Sequence, residues 1–313
     1  MTTVITRVAE WNDVAAWLRR DELIGLVPTM GALHDGHGVL LEEARRRCSV
    51  VVASIFVNPI QFNQKSDYDR YPRPLAEDVE FCKKRGVDYV FAPPDEEMYP
   101  EPPRAFVEVG EVSEYLCGPH RPGHFRGVAT VVMKLFQMLQ PRLAFFGEKD
   151  YQQLAVVRRL VLDLNVPVEV VGVPTVREMD GLAMSSRNRH LTLKERSFAP
   201  CVYKALLAAQ QSIACGERNA VAIKEKATEV LHRVPEIRLE YFDLVDPHTI
   251  QPVDSVQRPV RAAVAAWIGE TRLIDNVLCE PPAVAHRAPK NSAETYPVPN
   301  KSHSARLSLN GVR

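Results

Sequence analysis

Several common signatures are missing from this chain. Its 313 residues carry 39 Lys+Arg against 39 Asp+Glu, so the formal net charge is zero. Bulk electrostatics therefore give no reason to expect a nucleic-acid binder or a membrane-surface protein. No apolar run approaches the roughly 20 residues that a membrane span needs. The opening stretch, MTTVITRVAEWNDVAAWLRR, lacks the basic-then-apolar order of a signal peptide. Six cysteines (Cys48, Cys82, Cys117, Cys201, Cys215, Cys279) include no C-x-x-C pair. That argues against a zinc site and against a disulfide framework. Several lie within apolar helix or strand patterns, where a free thiol behaves as a small hydrophobe. A reducing cytoplasm is the simplest compartment. Neither G-x-G-x-x-G nor G-x-x-x-x-G-K-[ST] occurs, so the usual dinucleotide and P-loop readings fail. Internal repeats and coiled-coil heptads are absent too.

Apolar residues make up 46%, ordinary for a globular chain, and the length allows two domains. Continuous apolar runs recur at Leu23–Thr29, Ser49–Val57, Asp88–Pro93, Leu143–Gly147 and Pro167–Val176. Such runs suit strands buried on both faces, as in a parallel sheet. Helical patterns at Gly36–Arg47, Leu75–Arg85, Gly123–Leu139 and Tyr151–Leu164 separate them. Strand–helix alternation of this kind predicts a doubly wound α/β domain over residues 1–175. Beyond it the pattern predicts a smaller α+β domain, 176–279. It has a helix over Leu191–Gly216 stopped by Gly216, a helix over Ala220–Val234, and strands in RLEYFDLVD, PVRAAVAAWIG and TRLIDNVL. Residues 280–313 are rich in Pro, Ser and Ala and are expected to form a disordered tail.

Five stretches carry chemistry. In LVPTMGALHDGHGVL, a strand leads through a glycine-bearing loop into a helix that starts near Gly36–His37. Helix N-termini attract phosphates, and ligands of open α/β sheets bind beyond the carboxyl ends of strands. His34 and His37, three apart, then face one ligand. Read alone, the stretch is equally a loop with two surface histidines. FFGEKDYQQL repeats the strand-to-helix turn with Gly147, Glu148, Lys149 and Asp150. Lys149 suits phosphate, Asp150 is placed to cap the helix, and Gln153 projects from its first turn. REMDGLAMSSRNRHL puts Ser185, Ser186, Arg187 and Arg189 in one loop, as a phosphate clamp or a polar linker. Asn58 and Gln61 follow the second strand, where neutral amides suit a small polar substrate. CGPHRPGHFRG offers His120, Arg121, His124 and Arg126 as an anion gate or as surface charge. Asp69, Glu77 and Asp78 lie near the cleft and read either as reaching a metal or as a solvated helix start.

PTMGALHDGH carries an HxGH signature similar to that of the nucleotidylyltransferases. Together with FVNPIQF, RPGHFRGVATVV, FGEKDYQQL and MSSRN, in this order, it resembles the pantothenate synthetase (pantoate–β-alanine ligase) family over about Leu23–Asn276. The resemblance implies a Rossmann-like parallel-sheet domain, a smaller C-terminal lid, a homodimer, ATP and Mg2+. It implies condensation of pantoate with β-alanine through a pantoyl adenylate, releasing AMP and pyrophosphate. Carried over by motif, Met30, Gly31, Ala32, Leu33, His34, Asp35, Gly36 and His37 line the ATP site, with His37 as the acid. Gly147, Glu148, Lys149, Asp150, Val176, Met184, Ser185, Ser186 and Arg187 complete it. His34 and Lys149 join His37 in catalysis. Gln61 and Gln153 hold pantoate with Asn58 beside them, and Gln61 also lies by the β-alanine position. The family usually has a leucine after the second histidine. Gly38 stands there instead and is expected to loosen the first helical turn, at about 1 kcal/mol relative to Ala.

Three rival readings differ in class. Another HxGH nucleotidylyltransferase would share the histidines and the basic loop, but Gln61 and Gln153 favour a small hydroxy acid. An RNA-binding relative of the synthetases would need a basic, aromatic stripe that the chain lacks. A zinc site from His34, His37, His120 and His124 lacks the needed spacing.

Overall fold

The computed structural model describes residues 2–18 and 22–282. The expected tail lies, beyond residue 282, outside the described residues. Among the described residues, six strands form one all-parallel sheet: β1 (Thr3–Ile5), β2 (Ile24–Thr29), β3 (Val50–Ile55), β4 (Tyr89–Phe91), β5 (Leu143–Gly147) and β6 (Glu169–Val173), in the order β1-β4-β3-β2-β5-β6. The chain winds outward from β2 through β3 and β4, then returns to lay β5 on the other side of β2. The strand order therefore reverses between β2 and β5, where open α/β sheets form their ligand crevice.

Alternate side chains of each strand serve opposite layers. Leu26, Val52, Ala144 and Phe146 pack with Val128, Leu135 and Leu154 of the helices His124–Leu139 and Tyr151–Asp163. Val27, Val51, Ala53 and Phe145 pack with Leu40, Leu41 and Ala44 of the helix Asp35–Arg47 and with Cys82 of the helix Leu75–Lys84. Burial on both faces explains the unbroken apolar strands. All five strand expectations hold, with frayed ends trimmed. The first strand and the helix Val8–Trp17 escape the pattern because β1 buries only Ile5.

The C-terminal part is a three-stranded antiparallel sheet, β7 (Ile237–Val245), β8 (Val260–Ile268) and β9 (Thr271–Cys279), under the helices Pro200–Ala214 and Ala220–His232. The helix expected over Leu191–Gly216 is two helices. Thr192 caps Leu193–Phe198 through a capping box with Glu195, and a new helix starts at Pro200. Proline lacks the N–H that an unbroken helix would require there, but fits a first turn. Inter-residue contacts join 1–282 into one compact unit. Among the described residues no helix is long and apolar enough to cross a membrane.

Candidate active site

The loop after β2 is held from a distance. Asp78, buried on the helix Leu75–Lys84, accepts the N–H groups of Ala32 and Leu33, both at 2.8 Å. Burial raises its pKa, and the two N–H bonds work against that rise. His34 then caps the next helix: its Nδ1 accepts the Gly36 N–H at 3.1 Å, while His37 Nδ1 accepts the His34 N–H at 3.3 Å. This is a capping box built from two imidazoles instead of a hydroxyl and a carboxylate. A ring nitrogen that accepts carries no proton, so both neutral rings carry theirs on Nε2. Burial, then the charges of Lys149 and Arg189, push His34 down to about 4; burial and the neighbouring His34 push His37 down to about 3. The rings, 4.1 Å apart between centroids, are thus a pair of neutral donors.

Much of the backbone expected to cradle phosphate is already engaged within the protein. The N–H groups of Gly31, Ala32, Leu33, His34, Gly36, His37 and Gly38 all have acceptors within the protein. The side chains of His34 and His37 face the cleft, with Gly36 at the helix start between them. Gly38 does not loosen the turn either: its N–H reaches His34 O at 3.0 Å. A Cβ there would lie 3.0 Å from Arg85 Cζ, so the glycine seats a guanidinium.

Gln61 ends a short turn after β3 and reaches the same cleft. Tyr99 Oη donates to Asn58 Oδ1 at 2.9 Å, and Asn58 Nδ2 donates to Gln61 Oε1 at 3.0 Å and to Gly127 O at 3.1 Å. The chain fixes which way the Gln61 amide faces: its oxygen is taken, and Nε2 points to Met30 Sδ at 2.9 Å. Asn58 spends its amide N–H groups on this bracket, so it serves substrate chiefly through Gln61. The helix His124–Leu139 comes this close because residue 127 is glycine; a Cβ there would stand 2.7 Å from Gln61 Cα.

The turn after β5 presents Lys149, with Nζ 3.7 Å from Asp150. Burial opposes the charge on Asp150, but the cations of Lys149 and then Arg187 outweigh it and hold the carboxyl below its usual range. Asp150 occupies the capping position of the helix Tyr151–Asp163 without a capping bond, contrary to expectation. Its carboxylate serves the cleft instead. Gln153 faces the cleft, whereas Gln152 is buried and bonded to Cys117 N and the carbonyls of Val112 and Tyr115. Glu148 turns away to Arg261 Nη2 at 3.2 Å. Asn276 of β9 donates to the carbonyls of Glu148 and Lys149, both at 2.9 Å, and accepts from Arg261 at 2.8 Å. The second sheet therefore grips the lysine turn, a role the sequence pattern does not announce.

The MSSR segment closes the ring. Ser185 caps the turn Ser186–His190, accepting from Arg187 N at 3.3 Å, and Arg189 reaches Leu33 O at 3.4 Å. The resulting cavity, about 210 Å3, is lined by Met30, His34, Gly36, His37, Asn58 and Gln61 on one side. Gly147, Lys149, Asp150, Gln153, Val176 and Met184 to Arg187 form the other. Gly31, Ala32, Leu33, Asp35 and Glu148 stay off its wall: Ala32 and Leu33 are buried, and Asp35 pairs with Arg85 at 2.9 Å. Asp78, read as a solvated helix start or metal neighbour, is a buried bracket. Its loop partners lie more than 40 residues away, so no local pattern reveals it. Among the described residues no cluster of three metal-ligating side chains exists, and His120 and His124 stand apart from the His34–His37 pair.

A family model described as pantoate-beta-alanine ligase matches residues 3–278. Pantothenate synthetase 1 of Bradyrhizobium diazoefficiens is 53% identical over 277 residues, covering 88% of this chain and 97% of that protein. The crystal structure of pantoate-beta-alanine (pantothenate synthetase) from Thermus thermophilus superposes with a TM-score of 0.84 at 49% identity, covering 88% of this chain and 99% of that one. The pantoate-beta-alanine ligase of Francisella tularensis, solved with beta-gamma ATP and beta-alanine, is 34% identical with a TM-score of 0.75, over 89% and 98% of the two chains. With the model spanning nearly all described residues, the chain belongs to the pantoate–β-alanine ligase family.

Proposed function

We propose that this chain condenses pantoate with β-alanine at the expense of ATP, through a pantoyl adenylate, releasing AMP and pyrophosphate. The observation that carries the reading is the pair of Nε2–H donors on neutral His34 and His37, facing Lys149 and Arg187 across a cavity that also holds Gln61 and Gln153. In the first step a pantoate carboxylate oxygen bonds to the α-phosphorus and the bond to pyrophosphate breaks. Negative charge grows on the departing oxygen, where pre-aimed donors and cations lower the barrier without reorganising. Phosphate charge in the cavity raises the imidazole pKa, so His37 passes from hydrogen-bond donor toward proton donor as pyrophosphate separates. Gln61, its oxygen held by Asn58, offers N–H to pantoate, and Gln153 offers its amide from the opposite wall. In the second step the neutral amine of β-alanine attacks the acyl carbon, the bond to AMP breaks and the nitrogen loses a proton.

Asp150 is the one carboxylate on the wall of this cavity among the described residues. One carboxylate plus phosphate oxygens fits Mg2+, which when bound neutralises phosphate charge. We read 1–175 as the body of the site and 176–279 as a lid that keeps water from the adenylate. A cytoplasmic homodimer completes the reading; free thiols throughout suit a reducing compartment, and a monomeric mass by light scattering would remove the dimer.

The test is pyrophosphate release from ATP with pantoate, with and without β-alanine. Pantoate alone gives slow or single-turnover release, β-alanine accelerates it, and His37→Ala loses about a hundred- to a thousandfold. Release that neither acid nor amine stimulates, from protein that still binds ATP, refutes the substrate assignment.

A further inference from the structure

Tyr99 lies on the wall neither of the histidine cavity nor of the two cavities that share Lys149 and Asp150 with it. Its hydroxyl nonetheless ends 2.9 Å from Asn58 Oδ1. The direction of that bond is fixed. The carbonyl of Gly127 can only accept, so Asn58 turns its nitrogen toward it, at 3.1 Å, and its oxygen toward Tyr99. The phenol is therefore the donor. Asn58 is 1% exposed, and among the described residues no other group donates to its Oδ1. Its nitrogen gives the second N–H to Gln61 Oε1 at 3.0 Å, which leaves Gln61 Nε2 beside Met30 Sδ and toward the cleft. Burial first, then the charge of Asp95, push the Tyr99 pKa well above its usual value, so the donor keeps its proton.

Residue 99 is itself firmly held. Its N–H donates to Asp95 O at 2.7 Å and closes the one-turn helix Asp95–Met98. Met98 is fully buried, Glu97 accepts the Val8 N–H at 2.8 Å, and Asp95 accepts from Tyr68 Oη at 2.6 Å. The Tyr99 ring lies 6.1 Å from that of Phe56, a residue of the cavity wall, and Lys134 Nζ stands 5.4 Å from its centroid. Backbone and ring serve packing. The hydroxyl alone serves Asn58, and Tyr99→Phe removes it without touching the rest.

We propose that Tyr99 is a positioning residue for the acid substrate: without touching it, the hydroxyl holds the Asn58 amide so that Gln61 keeps its N–H groups toward pantoate. The proposal rests on the ligase reading above. Its consequence is one of polarity. Carboxylate oxygens only accept hydrogen bonds, so a Gln61 that turned its own oxygen to the cleft would repel them. Two clamps prevent the turn, the Gly127 carbonyl and the Tyr99 hydroxyl, and both act through Asn58. Without the hydroxyl, Asn58 Oδ1 is buried with no donor, and the amide that directs Gln61 gains by moving away from its place. A pre-set amide spares the substrate the cost of ordering it, so the loss falls on pantoate affinity.

In the full chain, Tyr99→Phe, Asn58→Leu and the double variant are compared with the parent by pantoate-dependent ATP–pyrophosphate exchange. Tyr99→Phe is expected to raise KM for pantoate on the order of 10-fold. KM for ATP and the rate at saturating pantoate stay put. A hydroxyl that only stabilised the fold would lower the rate through the active fraction and leave KM alone. That outcome, or an equal rise in KM for ATP, overturns the proposal. Adding Tyr99→Phe to Asn58→Leu should raise KM for pantoate no further, because the route runs through the amide that leucine lacks. Asn58→Leu also removes the buried oxygen, so this pair decides even if Tyr99→Phe alone fails to fold. Equal KM values, both above the parent's, support the proposal. A further rise in the double variant, or an Asn58→Leu enzyme with the parent's KM, overturns it. Absence of exchange in the parent overturns the ligase reading and this proposal with it, a failure visible before any variant is compared.

Discussion

Two backbone N–H groups in the loop that carries the histidines, those of Ala32 and Leu33, depend on one carboxylate from a distant helix. Both are buried, so removing Asp78 strands two donors at about 1–3 kcal/mol each. Asp78→Ala is expected to lose roughly 2–4 kcal/mol of stability in thermal or urea unfolding. Pyrophosphate release falls further than the folded fraction does, because the loop that sets His34 is no longer fixed. Full activity in the folded variant would show that the histidine box orients itself. Individual residues divide sharply in legibility. His34, His37, Lys149 and Arg187 are readable because their spacing follows the chain: each sits at a strand-to-helix turn or in one short loop. Asp78, Tyr99 and Asn276 act across long sequence separations, through bonds to backbone or to another amide, and polar residues of those types occur on any solvated surface.

At the scale of the element, the helix Asp35–Arg47 shows how a propensity argument can be correct in kind and wrong in sign. Glycine at 38 lowers intrinsic helix stability, yet here it makes the floor of a seat. Arg85 lies over it, stacks on Phe81 at 3.6 Å from the ring centroid and pairs with Asp35 at 2.9 Å. Propensity alone predicts that Gly38→Ala stabilises by about 1 kcal/mol. The packing predicts the opposite, a loss of about 1 kcal/mol as the methyl displaces a held guanidinium. In an Arg85→Ala background the same substitution should recover the propensity gain, so a double-mutant cycle by urea unfolding reads the coupling directly. Additive effects would mean that Arg85 moves aside at no cost. Elements whose period and length are unambiguous, β2, β3, β5 and the helices facing them, are legible because both faces of the sheet are buried. The break at Pro200 is not, since the apolar stripe runs through it and only the missing N–H marks it.

Across the whole molecule, the site is assembled from both sheets. The parallel sheet supplies the turns, but the lysine turn hangs from Asn276 of β9, and Arg177 ties the start of the MSSR segment to Asp275 of the same strand at 2.6 and 3.0 Å. Arg189 in turn touches the histidine loop at Leu33 O. A strand of the second sheet thus holds two parts of the first sheet's cleft, and an α/β pattern followed by an α+β pattern predicts two folding units without showing that they share one site. If the segment from Arg177 to Arg189 closes over bound nucleotide, ATP with pantoate should slow tryptic cleavage after Arg187 and Arg189. The same protection should be weaker in Asn276→Ala, which leaves Arg261 Nη1 without its acceptor, with only Nη2 still held by Glu148, and the Lys149 turn without its tether, at a cost of about 1–3 kcal/mol. Mass spectrometry of timed digests measures both. Protection that survives Asn276→Ala in full would mean that the segment docks on the histidine loop alone, through Arg189. Cleavage indifferent to nucleotide in the parent would remove the lid from the mechanism and leave the adenylate shielded only by the walls of the cleft.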